Sequence, residues 1–436
     1  MIMTMIRPEA EMKESGVQWI GDIPSDWNTK PLYACLDEIN QKNNPVVTTN
    51  ILSLTNTDGV IPYSERGNQG NKSKENFEEY KVVYPNTIVA NSMNILIGSV
   101  GLSKYEGCVS PVYYVYMAKP QVDIRYMNYL FQMEPFQKRL RQFANGILEI
   151  RLRVSSHDIL HQKVAVPAYD EQQVIADYLD ETCSKIDEII AEAKASIDEY
   201  KELKQSVIFE AVTKGLDKNV EMKDSGNLAI GKIPKHWVKA RVKNVATRIT
   251  VGVVVTPANY FDDAGTVAFL RGINVKEYVI NSEPMMYITE ETNKELSKTI
   301  VHTNDLVIVR DSAIGVTAVV PEKYDGANVV SMIIVSLGSE YNHDYLCYVL
   351  NSYVGKIQFN LTKIGSALSH TSVSSVSNIE IPKPSINEQI DIVNYLKEQH
   401  KKLNSLIAEK ESLINDLEAY KKSLIYEVVT GKRRVV

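Results

Sequence analysis

Two segments of this chain, beginning at Glu171 and at Glu388, each run for about 42 residues without a proline or a glycine. Those are the two residues that most readily stop a helix. The segments also match one another: EQQVIADYLDETCSKIDEIIAEAKASIDEYKELKQSVIFEAVTKG against EQIDIVNYLKEQHKKLNSLIAEKESLINDLEAYKKSLIYEVVTGK. The match pairs Glu171 with Glu388, Tyr178 with Tyr395, Ile190 with Ile407 and Thr213 with Thr430. Each closes on Thr-Lys-Gly or Thr-Gly-Lys, a helix C-terminal stop. Ile175, Leu179, Ile186, Ile189, Ala193, Ile197, Tyr200, Leu203, Val207 and Ala211 recur near every 3.5 residues, as do Leu396, Leu403, Leu406, Ile407, Ile414, Leu417, Leu424 and Val428. The spacing predicts two coiled-coil helices, each about 60 Å long. An exposed stripe of about ten such residues, at about 1.5 kcal/mol each, would forfeit on the order of 15 kcal/mol. The helices are therefore expected to bury each other, antiparallel, as a spacer between two modules.

A second repeat frames the first. Met12 to Trp27 (MKESGVQWIGDIPSDW) and Met222 to Trp237 (MKDSGNLAIGKIPKHW) agree at nine of sixteen positions, where unrelated segments would share about one. The chain then divides into an N-terminal frame segment (1–27), a first block (28–170), a long helix (171–214), the repeated frame (215–237), a second block (238–387), a second long helix (388–430) and a tail (431–436). The two blocks share little wording, but both read as α+β. LYACLDEI, VVTTNILSL, KVVYPNTIVA and CVSPVYYVYMA are strand-like in the first, with a helix near YMNYLFQMEPFQKRLRQFA. TVAFLRGINV, NDLVIVRDSAIGVTAVVP and NVVSMIIVSL are strand-like in the second, with a helix at HDYLCYVLNSYVGKIQFNL. Similar frames enclose dissimilar inserts.

The formal net charge is −6, which argues against a simple basic nucleic-acid binder. Its distribution says more. Residues 171–212 carry eleven acidic side chains against Lys185, Lys194, Lys201 and Lys204, a balance of −7 that exceeds the deficit of the whole chain. The blocks are near neutral, so a DNA-facing surface is allowed there, whereas the acidic rod should stay off phosphate. The four cysteines have no C-x-x-C spacing, which points to a reducing cytoplasm. No apolar run approaches the roughly 20 residues that span a bilayer.

Catalytic patterns are missing. The sequence contains no G-x-x-x-x-G-K-[ST], no G-x-G-x-x-G and no G-x-S-x-G. Gly98-Ser99-Val100-Gly101 reads as a plain turn, and His157 and His161 lack a third metal ligand nearby. Recognition without chemistry is the expectation. Candidate base readers should lie on polar loops of the blocks, since Arg and Lys suit guanine, and Asn and Gln suit adenine. In the first block these are Arg66, Asn68, Gln69, Asn71, Lys72 and Lys74, then Arg151 and Arg153. In the second they are Arg271, Asn274, Lys276, Arg310, Lys363, Ser366, Ser369 and His370.

Taken together, the arrangement resembles the specificity subunit (HsdS) of type I restriction-modification systems over nearly the whole chain. The marks are the run Trp19 to Trp27 (WIGDIPSDW), its copy Ile230 to Trp237 with Ala229 in place of the first Trp, and the P-x-x-x-E-Q lead-in at Pro167. The second lead-in, taken from Pro382, is longer by two residues. The resemblance implies two pseudo-symmetric target-recognition domains separated by two long antiparallel coiled-coil helices. It implies a non-catalytic subunit that reads an asymmetric two-part sequence in double-stranded DNA. It also implies docking of two adenine-N6 methyltransferase subunits and, for restriction, a translocase-nuclease subunit. No cofactor belongs to this chain on that reading, because S-adenosylmethionine, ATP and Mg stay with the partners. Two other readings are a coiled-coil adaptor that grips proteins without reading DNA, and a specificity subunit of a methylation-only or type II-like system.

Overall fold

A computed structural model of the chain describes residues 4–55, 59–66, 76–145, 152–361 and 370–435. The two Pro- and Gly-free segments are helices, Tyr169–Lys214 and Ile386–Val429. The second opens on a capping box: Ser385 N–H donates to Glu388 Oε2 (3.0 Å), and Glu388 N–H donates to Ser385 Oγ (3.3 Å). Both stop at a glycine in the left-handed region, Gly215 (φ +73°) and Gly431 (φ +74°).

The seam along these helices follows the expected one except at single positions, with Ile190 in place of Ile189. Leu179, Cys183, Ile186, Ile190, Ala193 and Ile197 are buried at alternating spacings of four and three, whereas Ile189 (44% exposed) and Leu203 (50%) face outward. Ile189 and Ile190 are adjacent and alike, so composition alone could not choose the phase. On the second helix Leu396, Leu403, Ile414, Leu424 and Val428 are buried, while Leu406, Ile407 and Leu417 are half-buried.

The chain forms two compact units, Met1–Lys194 with Ser412–Val436, and Ala195–Glu411. Each takes half of each long helix. In the first unit Lys421 Nζ reaches Asp187 at 2.6 Å, while further along Val429 accepts from Tyr126, whose helix is bound to Gln172. The halves therefore run antiparallel. In the second unit Lys204 Nζ donates to Asn404 Oδ1 at 3.0 Å.

Each unit is α+β on one plan. In the first, an antiparallel sheet runs in the order Val100–Leu102, Ile88–Asn91, Tyr113–Ala118, Leu36–Glu38; in the second, Thr317–Val319, Leu306–Val309, Met332–Leu337, Ala246–Val251. Paired helices follow the third strand: Ile124–Gln132 and Glu134–Arg141 in one, His343–Asn351 and Tyr353–Leu361 in the other. The single helices expected there are broken, the first between Gln132 and Glu134 just before Pro135, the second at Ser352. Strands Asn28–Pro31 and Lys163–Val166 then pair, as do Val238–Arg241 and Glu380–Lys383, so that each block leaves and returns side by side. LYACLDEI begins as a 3-10 turn, Leu32–Ala34, and only Leu36–Glu38 is strand; of VVTTNILSL only Leu52–Thr55 is named strand. The second unit adds a sheet of Met286–Ile288, Val267–Leu270 and Asn328–Val329, the last two parallel.

The N-terminal frame completes the first unit. Thr4–Ile6 pairs antiparallel with Arg433–Val435, and Lys432 Nζ donates to Ile20 O (2.6 Å). No described helix is long and apolar enough to cross a membrane.

Candidate nucleic-acid interface

The Glu-Gln pairs that open the long helices hold each block at its base. Trp27, buried, donates its indole N–H to Glu171 Oε2 (2.9 Å); Trp237, equally buried, donates to Glu388 Oε1 (2.9 Å). The neighbouring glutamine ties in the paired helices. Gln172 Oε1 accepts from Asp123 N–H (2.9 Å) and Gln389 Oε1 from Asn342 N–H (2.7 Å). Asp123 and Asn342 are in turn the N-caps of Ile124–Gln132 and His343–Asn351. Gln172 Nε2 donates to Pro167 O and Gln389 Nε2 to Pro384 O, each at 3.0 Å. The counterpart of Pro167 is therefore Pro384, not Pro382, and the two lead-ins are equal in length. Finally Tyr126 and Tyr345 hydroxyls donate to Val429 O and Val212 O, both at 2.9 Å, at the far ends of the long helices.

The two carboxyls respond differently to these surroundings. At Glu388 burial pushes the pKa up, but bonds from His236, Trp237 and Ser385 outweigh it and hold it down at about 2. At Glu171 burial prevails over Trp27 and Arg7, and the pKa is raised. Arg7 Nη2 donates to Glu171 Oε1 at 2.9 Å.

One end of each sheet, beyond the last residues of an inner strand, gathers the loops where side chains could meet a ligand. In the first unit Val154 N–H donates to Ser92 O (3.1 Å), directly after the strand Ile88–Asn91. In the second, Thr371 N–H donates to Arg310 O (3.0 Å), directly after Leu306–Val309. Arg153 and His370 thus hold equivalent places, each just before that tie. Lys81 Nζ donates to Tyr113 O (3.0 Å) and lies over the Tyr114 ring. Burial pushes the Tyr113 and Tyr114 phenols up, and Arg66 and Arg153 respectively pull them back. Tyr113 and Tyr114 are successive residues of one strand and point to opposite faces, so Arg66 and Arg153 are not brought together by these contacts.

The sequence pattern of a known family covers most of the chain. A family model described as type I restriction modification DNA specificity domain matches residues 24–199 and 234–416. The chain belongs to that family. The specificity subunit of the type I restriction enzyme MjaVIII from Methanocaldococcus jannaschii is 22% identical over 95% of this chain and 94% of its own. Among solved structures, an HsdS subunit from Thermoanaerobacter tengcongensis aligns at TM-score 0.52 and 14% identity, over 94% of this chain and 98% of its own. A chain from work on complex assembly and conformational transition of the type I R-M system aligns at 0.73 and 13%, over 94% and 99%. At those identities the likeness is one of fold.

Within this specificity-domain protein the remaining candidates separate. Arg271 is half-buried, its Nη2 donating to Pro284 O (2.8 Å). Asn274 is fully buried, its Oδ1 accepting from Arg271 N–H (3.0 Å) and its Nδ2 donating to Pro284 O (3.0 Å), so it shapes that turn and does not face outward. Lys276 is exposed on a separate hairpin, Val275–Lys276 with Val279–Ile280. Arg310 is half-buried at the end of an inner strand of the sheet. Asn68, Gln69, Asn71, Lys72, Lys74, Arg151, Lys363, Ser366 and Ser369 lie outside the described residues. His157 and His161 stack at 3.9 Å, and no group of three or more potential metal ligands occurs among the described residues. In sequence Glu171, Gln172, Glu388 and Gln389 are marks of kinship, and nothing there gives their task. The recurring E-Q pair was the available signal.

Proposed function

We propose that this type I specificity chain recognises an asymmetric two-part duplex DNA target, one half read by each unit, and docks two identical adenine-N6 methyltransferase subunits on its repeated frames. A translocase-nuclease subunit joins for restriction. S-adenosylmethionine, ATP and Mg are held by those partners, the chain itself performs no chemistry, and it works in the cytoplasm. The observation that carries this reading is the duplicated clamp of Trp, Glu, Gln and Tyr around blocks whose residues differ at equivalent places, with buried Ser92 in one where half-buried Arg310 stands in the other. Equivalent frames suit identical partners, and unlike loops suit unlike half-sequences.

The chain should be purified with a type I adenine methyltransferase subunit from the same source and its methylated sites mapped. Mass measurement should give two methyltransferase subunits per chain, and a one-to-one complex as the largest species overturns that stoichiometry. Replacing residues 28–170 with another family block should change one half of the methylated motif. A change in both halves overturns independent readout. Because the blocks are near neutral, the chain alone should bind DNA weakly, each phosphate contact adding about 0.9 to the salt slope.

A further inference from the structure

In the second unit three loops meet at one end of the central sheet. Val253 N–H donates to Val329 O (2.8 Å) and Ser331 N–H to Val253 O (3.0 Å), which pins the loop after Ala246–Val251. Ser331 Oγ donates to Asp311 Oδ2 (3.0 Å), which brings in the loop after Leu306–Val309. Val330 N–H donates to Leu270 O (2.8 Å), which brings in the turn that begins at Arg271.

Each of the first two loops and their junction holds a residue other than glycine at positive φ: Thr256 at +40°, Ser312 at +40° and Ser331 at +49°. That conformation is costly for any residue with a Cβ and most of all for β-branched Thr, and such strain concentrates at functional sites. Ahead of Thr256, Val254 is 48% and Val255 70% exposed. Single exposed valines are ordinary. Here two adjacent ones are held outward on a pinned, strained loop, and the two loops tied to it begin at Arg271 and Arg310. Arg271 and Arg310 each bury an Nε without a partner, as does the Oγ1 of buried Thr371, whose N–H is bonded to Arg310 O. Apolar side chains flanked by cations fit one ligand chemistry well: the major-groove edge of an A·T pair, where the thymine 5-methyl is the apolar feature and phosphates lie to either side.

We propose that Val254 and Val255 contact thymine 5-methyl groups in the half-target read by the second unit, with Arg271 and Arg310 supplying the cationic flank. The proposal rests on the DNA-reading function given above. The probe is the duplex methylation target with each thymine replaced singly by deoxyuridine, presented to the complex of full chain and methyltransferase. Burying one methyl is worth a free energy that corresponds to about fourfold in binding. Wild type should lose about fourfold at one or more thymines of one half only. A Val254→Ser, Val255→Ser double variant should bind thymine and uracil targets equally. Tyr287→Ser, at an exposed tyrosine on Met286–Ile288, should keep the wild-type response.

Wild type indifferent to uracil at every position overturns the proposal, as does a double variant that keeps the full response or a half-target without thymine. A wild-type complex with no sequence-selective retention overturns the DNA-reading function itself, and is distinct from all of these.

Discussion

Trp27 donates its indole N–H to Glu171 across 2.9 Å, and these two residues stand at either end of everything in the first unit that its repeat does not share. Trp237 and Glu388 do the same for the second. A block closed at its base by a buried bond is free to change elsewhere, because its attachment depends on the frame and helix and not on its own loops.

Replacing Trp27 or Trp237 with Phe removes the indole donor from a buried position and leaves a gap. Each change should cost about 2–4 kcal/mol, read as a lower urea midpoint. A variant as stable as the parent would show that the clamp does not hold the block.

The same two glutamates should titrate on opposite sides of the ordinary carboxyl value of about 4.3. Glu388, held at about 2, contributes stability that is present above about pH 4.3 and lost as pH falls through about 2. Glu171, raised, contributes stability present below about 4.3 and lost as pH rises through its folded value. Carboxyl carbon NMR of the two positions checks this, and identical titrations would contradict it.

The phase of the seam gives a sharp contrast. Ile190→Ala should cost about 2–4 kcal/mol, whereas Ile189→Ala, one residue away and 44% exposed, should cost about 0.5 kcal/mol or less. Equal losses in chemical denaturation would put Ile189 in the seam alongside Ile190.

At the helix ends, a Cβ on Gly431 would stand 2.4 Å from Pro24 Cγ and 3.0 Å from Trp27, and one on Gly215 3.1 Å from Trp237. Both glycines have left-handed φ, so either alanine costs about 1–2 kcal/mol from the backbone alone. Gly431→Ala should be the more damaging in thermal melting, because the ring of Pro24 cannot swing away.

Reading these residues as sequence captured the repeats well, because a repeat announces itself without knowledge of contacts. The two long helices followed from the absence of Pro and Gly. What escaped was whatever depends on partners distant in the chain. Nothing near Glu171 says that its partner is Trp27. Pro382 and Pro384 are equally plausible starts of a lead-in until the bond from Gln389 chooses between them. The loop of Val254 and Val255 left no mark either, since positive φ at Thr256, Ser312 and Ser331 falls on residues that do not advertise it as glycine does. Asn274 looks like any surface polar residue in sequence, because burial of an amide inside its own turn leaves no mark in composition.

The pairing of Thr4–Ile6 with Arg433–Val435 has a bearing on how the protein is made. The second unit is one uninterrupted stretch, Ala195–Glu411, while the first waits for Ser412–Val436. On the ribosome, where N-terminal segments emerge first, the half synthesised earliest is thus the half finished last. Until then its part of the first long helix shows the nascent chain a bare seam of Leu179, Cys183, Ile186 and Ile190. A message cut short just after the codon for Glu411 would therefore release a protein whose second unit is whole and whose first is open.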